Sequence, residues 1–101
     1  MTRVYLAGPD VFLPDAIEIG REKLAICARH GVGGLYPLEN VIARAAADAS
    51  MQIYRANEAM MEQADAIIAN LTPFRGPGAD PGTAYELGVM AARGKIGRAH
   101  V

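Results

Sequence analysis

The 101-residue chain has one cysteine, no tryptophan, few aromatic residues (6%) and a formal net charge of only -1. With Cys27 alone, an internal disulfide is excluded and no second thiol exists for a Cys-x-x-Cys metal site. The near-neutral balance, with basic residues scattered rather than clustered, gives no footprint for nucleic acid or an anionic membrane surface. No apolar run is long enough to span a bilayer, and Met1 to Ala7 enters a strand-like run too directly to be a secretory signal core. A reducing cytoplasm is the compartment expected. There is no G-x-x-x-x-G-K-S/T loop and no G-x-G-x-x-G after the first strand, so ATP and dinucleotide binding are poor readings.

What is present is ordinary globular material, 51% hydrophobic and 21% charged, enough for one domain. Val4 to Ala7 reads as a short buried strand ended by Gly8-Pro9. Asp15 to His30 reads as a helix with Ile17, Gly20, Leu24, Cys27 and Ala28 on one face and Gly31 at its end. Val32 to Tyr36 is a weaker strand stopped by Pro37. Ala43 to Ala49 is a short helix or a loop. Ser50 is a cap for a helix from Met51 to Ala64, with Ile53, Asn57, Met60, Met61 and Ala64 on its inner face. Ala66 to Leu71 reads as a strand buried on both sides, Thr72 to Pro81 as a Pro/Gly loop, and Gly82 to Arg93 as a third helix. Alternation of this kind predicts a parallel sheet with helices on its faces, and ligands in such sheets bind beyond the carboxyl ends of the strands.

The densest polar constellation runs from Asn70 to Gly88. Asp80 and Glu86 are two carboxylates six residues apart, across a loop and the start of a helix. Two carboxyls in one pocket can divide roles, one ionised as nucleophile and one protonated as acid. Glycosidic cleavage needs that division because its transition state resembles an oxocarbenium ion. Structural readings compete at each position. Thr83-Ala-Tyr-Glu86 is also a T-x-x-E capping box, Asp80 before Pro81-Gly82 is also a turn residue, and Tyr5 is also a core tyrosine.

Val4-Tyr-Leu-Ala-Gly-Pro9, Tyr36-Pro-Leu-Glu-Asn40 and Ala64-Asp-Ala-Ile-Ile-Ala-Asn-Leu-Thr-Pro-Phe-Arg-Gly76, followed by Asp80-Pro-Gly-Thr-Ala-Tyr-Glu-Leu-Gly88, resemble the nucleoside 2-deoxyribosyltransferase family, over about Arg3 to Lys95. The resemblance implies a flavodoxin-like α/β fold and exchange of the base on a 2'-deoxynucleoside, with no metal or organic cofactor. It implies Glu86 as nucleophile in a covalent deoxyribosyl intermediate, Asp80 as the carboxylate that handles the base's proton, and Tyr5 as a hydrogen-bond partner of Glu86. Gly8, Phe12, Asn70, Phe74 and Arg75 are the expected substrate-binding residues. Asn70 stands where some members carry a second aspartate. The implied ligands are a deoxynucleoside and a free nucleobase. Two other readings of the same residues are an N-glycosidase acting on deoxynucleosides or their 5'-monophosphates, and a non-catalytic nucleotide-sensing module.

The family pattern also implies a fourth strand from Lys95, a further helix, and a tail that lends an asparagine and a carboxylate to a neighbouring subunit, hence a homo-oligomer when intact. Ile96-Gly-Arg-Ala-His-Val101 instead matches one reading frame of a common sequencing-adapter DNA. The expectation is a partial domain over residues 1–95, a non-native tail over 96–101, and a sheet left incomplete at the C-terminus.

Overall fold

The computed structural model describes residues 1–37 and 49–100. The chain runs β1 (Arg3–Ala7), a 3-10 turn (Pro9–Phe12), α1 (Ala16–Arg29), β2 (Gly33–Leu35), α2 (Ala49–Gln63), β3 (Ala66–Asn70), α3 (Pro81–Ala92) and β4 (Ile96–His100). The four strands form one parallel sheet in the order β2-β1-β3-β4. That order is part of the flavodoxin-like arrangement, whose strand order reverses between β1 and β3 while all strands stay parallel. The expected α/β fold is therefore observed. The short helix or loop expected over Ala43 to Ala49 lies, up to Asp48, outside the described residues.

Alternation along β1 builds both faces of the sheet. Tyr5 and Ala7 point to one side, where they are buried with Met61 and Ala64 of the α2 end, Ile67 and Ala69 of β3, and Met90 of α3. Val4 and Leu6 point to the other, against Tyr36, Val11, Val32 and the Leu24 and Cys27 side of α1. Close approach of α1 to the sheet depends on Gly34, where an added Cβ would meet Leu24 Cδ2 at 2.8 Å. Gly20 is buried as expected, but Ala28 is exposed.

Three local expectations are corrected. β3 is not covered on both sides among the described residues: Ile67 and Ala69 are fully buried, but Ile68 is 41% exposed over a cavity on the α1 side. The helix expected from Met51 already includes Ala49 and Ser50, so Ser50 lies within α2. The position beside β3 expected to lack a strand is occupied, since Ile96–His100 pairs with Ile67–Asn70, with a register irregularity at Ile67/Ile68. Such pairing uses main-chain groups that nearly every sequence carries.

Lys95 ties this region to α2, its Nζ donating to the Met61 and Glu62 carbonyls at 3.3 and 3.1 Å. Those carbonyls belong to the last turn of α2, where a cation meets the negative end of the helix.

Candidate active site

A cleft of about 120 Å³ opens at the carboxyl end of β1. Its walls include Tyr5 and Gly8 from β1 and its turn, Val11 and Phe12 from the 3-10 turn, Ile53 and Asn57 from α2, and Asp80, Thr83 and Glu86 from α3. This is the switch point of the sheet order, the position at which open α/β sheets leave a crevice. Gly8 lets the strand end pass close to β3, since a Cβ there would lie 3.0 Å from Asn70 Cβ.

Asp80 caps α3. Its Oδ2 accepts from Thr83 N and Thr83 Oγ1, each at 3.0 Å, and Pro81 follows at the first helical position. The capping pair is thus Asp80 with Thr83, and the T-x-x-E capping box read from Thr83 and Glu86 is not formed. Glu86 is the sixth residue of the helix, in its second turn rather than its first. It therefore owes less to the helix field than the sequence pattern suggests, because that field fades beyond the first turn.

What holds Glu86 instead is Tyr5. Tyr5 Oη donates to Glu86 Oε2 at 2.6 Å across 81 residues of sequence. Tyr5 is 1% exposed, and burial followed by the Glu86 charge pushes its hydroxyl well above the usual tyrosine range. It remains a protonated donor. Burial likewise raises the Glu86 carboxyl above its ordinary value. Hydrogen bonds from Tyr5 and Asn57 oppose that rise, while the charges of Asp80 and Glu58 add to it. The result is a carboxylate with few water neighbours, held by two donors, facing a cleft whose other carboxylate is Asp80. Such a group combines the nucleophilicity of a poorly hydrated anion with a fixed direction of attack.

The remaining expected residues fall in two places. Phe12 is on the cleft wall and stacks on Phe74, with ring centroids 5.6 Å apart and planes at 18°. Arg75 carries its guanidinium carbon 4.7 Å from the Phe74 centroid and 5.2 Å from that of Phe12. It sits at φ 57, a backbone region uncommon for a long side chain, in a turn closed by Phe74 N donating to Gly78 O at 3.2 Å. The three side chains form one stack, and Phe12 is its member on the cleft wall.

Asn70 lies elsewhere. It lines the cavity on the α1 side, where its Nδ2 donates to Asp10 Oδ1 at 3.3 Å and its Oδ1 accepts from Thr72 N and Oγ1. Asp10 is also paired with Lys23. These contacts fasten the turn that presents Phe12 to the end of β3. Asn57 is the residue that the sequence reading placed on a helix face without assigning it a site role. The signal was there: a lone amide on the otherwise apolar Ile53–Ala64 stripe. Among the described residues no group of three or more His, Cys, Asp or Glu could hold a metal ion, and no helix is long and apolar enough to cross a membrane.

Comparison with known proteins follows the same lines. A family model described as nucleoside 2-deoxyribosyltransferase matches residues 4–98. An uncharacterized protein of Schizosaccharomyces pombe is 46% identical over 97 residues, which is 91% of this chain and 46% of that protein. The solved structure of a 2-desoxiribosyltransferase from Leishmania mexicana superposes with a TM-score of 0.82 at 36% identity, over 98% of this chain and 65% of that one. A 2-deoxyribosyltransferase from Bacillus psychrosaccharolyticus superposes with a TM-score of 0.73 over 97% of this chain and 72% of its own, at 19% identity, a likeness of fold. The chain thus spans about half the length of the curated relative and 65% of the Leishmania mexicana protein.

Proposed function

The chain belongs to the nucleoside 2-deoxyribosyltransferase family, and on that footing we propose that the protein it represents moves 2-deoxyribose from one nucleobase to another through a deoxyribosyl ester on Glu86. The observation that carries this reading is the 2.6 Å bond between Tyr5 Oη and Glu86 Oε2 in a cleft shared with Asp80. A half-buried carboxylate aimed by a tyrosine has the features of a nucleophile.

In the first half-reaction a Glu86 oxygen bonds to C1' of the sugar as the bond from C1' to the base nitrogen breaks. The electron pair of that bond leaves with the base, and Asp80 supplies the proton that neutralises it. In the second, an incoming base nitrogen bonds to C1', the ester bond breaks, and the carboxylate is released. The proton lost by the incoming base returns to Asp80. Tyr5 and Asn57 keep Glu86 pointed at C1'. The stack of Phe12, Phe74 and Arg75, which reaches the cleft through Phe12, is suited to meet a flat base, whose faces stack on aromatic rings and on a guanidinium plane. A 2'-hydroxyl would crowd Glu86 and disfavour the cationic transition state.

Incubation of the intact protein with deoxyinosine and adenine is expected to give deoxyadenosine and hypoxanthine, with ribonucleosides reacting far more slowly. Hypoxanthine and free deoxyribose without deoxyadenosine would mean hydrolysis. No change in either compound would mean a binding module. Equal rates on both sugars would count against the assignment of the site.

Tyr5→Phe removes the donor while keeping the ring in the core. Glu86 then loses a bond that favours its ionised form, so the acid limb of kcat/KM should move to higher pH. A hydrogen bond to a charged group is worth about 1.5–3 kcal/mol, so the rate at neutral pH should fall roughly ten- to a hundredfold. An unchanged limb would show that Tyr5 only fills space.

A further inference from the structure

The two oxygens of the Asp80 carboxyl stand in different surroundings. Oδ2 accepts from Thr83 N and from Thr83 Oγ1, each at 3.0 Å. Among the described residues, both hydrogen bonds to this carboxyl fall on Oδ2 and none on Oδ1. Asp80 is also pinned through its main chain, where its carbonyl accepts from Ala84 N at 3.0 Å.

The local sequence builds this arrangement. Pro81 offers no main-chain donor. Gly82 leaves room for the carboxyl to fold back, since a Cβ there would lie 3.3 Å from Oδ2. Thr83, 1% exposed, then supplies two donors from one residue. The main-chain N–H alone makes a cap, and the hydroxyl adds a second donor to the same oxygen. A carboxylate oxygen has two lone pairs, and these donors take both of those on Oδ2. The Thr83 N–H is fixed by the helix and cannot turn away. A proton taken up by the carboxyl is therefore left to Oδ1. Asp80 and Thr83 both line the cleft that holds Glu86, so the orientation of this carboxyl bears on what it can hand to a ligand there.

We propose that Thr83 is a positioning residue for Asp80: its hydroxyl and main-chain N–H commit Oδ2 to the start of α3, so that Asp80 exchanges protons with the base through Oδ1. As the bond from C1' to the base breaks, the proton on Oδ1 passes to the base nitrogen, and the electron pair of that O–H bond stays on the carboxylate. Oδ2 keeps its two donors throughout, and the proton of the incoming base returns to Oδ1. This role rests on the reading of Asp80 as the group that handles the proton of the base.

The test is the first half-reaction of the intact protein, followed in single turnovers. Deoxyadenosine supplies a base that must be protonated to leave, and p-nitrophenyl 2-deoxyriboside a group that leaves as an anion. Thr83→Val keeps the shape of the side chain and the main-chain bond but removes the hydroxyl. Adenine release should fall roughly tenfold, the scale of a slightly misplaced reacting group, and nitrophenolate release much less. Thr83→Ser should restore adenine release. In an Asp80→Asn background, where no proton is given, Thr83→Val should change adenine release no further. Equal losses with both leaving groups would make the hydroxyl part of the cap alone and overturn the proposal. A further loss of roughly tenfold in the Asp80→Asn background would do the same, because Thr83 would then act without Asp80. Thr83→Ala, which removes the same hydroxyl, decides the question if Thr83→Val fails to fold. Asp80→Asn that slows both leaving groups equally would remove the proton-handling reading of Asp80, and this role with it. A selective Asp80→Asn beside an unselective Thr83→Val would remove the role of Thr83 alone.

Discussion

Glu86→Gln is expected to abolish sugar transfer and to raise the melting temperature in the same protein. The first effect follows from chemistry: an amide oxygen forms no stable ester with C1', and loss of a nucleophile costs at least about a thousandfold in rate. The second follows from burial. Because burial raises the Glu86 carboxyl, the folded protein holds this proton more tightly than the unfolded chain does. The contribution to stability is complete below the ordinary carboxylate value and is lost as pH rises through the raised, folded value. Where it is ionised, the side chain is therefore a net cost to folding. Glutamine removes that cost and still accepts from Tyr5 through its carbonyl oxygen. For a domain of this size each 1 kcal/mol recovered is worth about 4–8 °C. Thermal melts at neutral pH and at pH 4 give the check: the variant should gain over wild type at neutral pH and lose that advantage in acid. A variant that keeps more than about a tenth of the rate, a barrier change under about 1.4 kcal/mol, would remove Glu86 from the chemistry. A variant that melts lower at neutral pH would show that its carboxylate holds the fold together.

Asp80→Asn is expected to separate a structural role from a chemical one. Asp80 caps α3 through Oδ2, and asparagine caps helices about as well, so stability should change by no more than about 1 kcal/mol, part of it the lost charge at the helix start. The amide cannot give or take a proton at the base. Transfer from a base that must be protonated to leave should fall roughly 10²- to 10⁴-fold, and transfer from a good leaving base should fall much less. Removal of the Asp80 charge, which helps to raise Glu86, should also move the acid limb to lower pH. The measurement is the ratio of rates for poor and good leaving bases in wild type and variant. An equal loss with both would reduce Asp80 to a helix cap. Asp80→Ala should add about 1 kcal/mol of destabilisation to the same chemical loss.

Both expectations depend on roles that pattern alone left open. Read as a string, Thr83-Ala-Tyr-Glu86 fits a capping box and Asp80 fits a turn. Each residue has several local partners within reach, and spacing does not choose among them. The choice fell to Asp80 because Pro81, which has no main-chain donor, is well suited to the first helical position and so set the cap three residues before Thr83. That placement freed Glu86 from any capping bond and left it to Tyr5. Asn57 escaped notice for a related reason. A polar residue on an apolar helix face reads as tolerated until the group opposite is known, and that group comes from a helix almost thirty residues away.

Tyr5 as a partner of Glu86 came only from the family resemblance, whereas the sequence by itself determined the alternation of strands and helices, the parallel sheet, the loop at which a ligand is expected, and Asp80 and Glu86 as a carboxylate pair worth testing. These rest on local terms, namely apolar period, glycine and proline chemistry, and a dense polar loop, and each acts over a few residues. Tertiary structure decided which polar groups meet. The pairing of β1 with β3 and the rotation of α2 and α3 about their own axes brought Tyr5, Asn57, Asp80 and Glu86 to one cleft. The same sheet order turned Asn70 toward Asp10, and it left Ile68 facing a cavity where the sequence pattern predicted cover. Side chains that touch in space but stand dozens of residues apart in sequence are related by helix rotation and strand order, which no short-range pattern encodes.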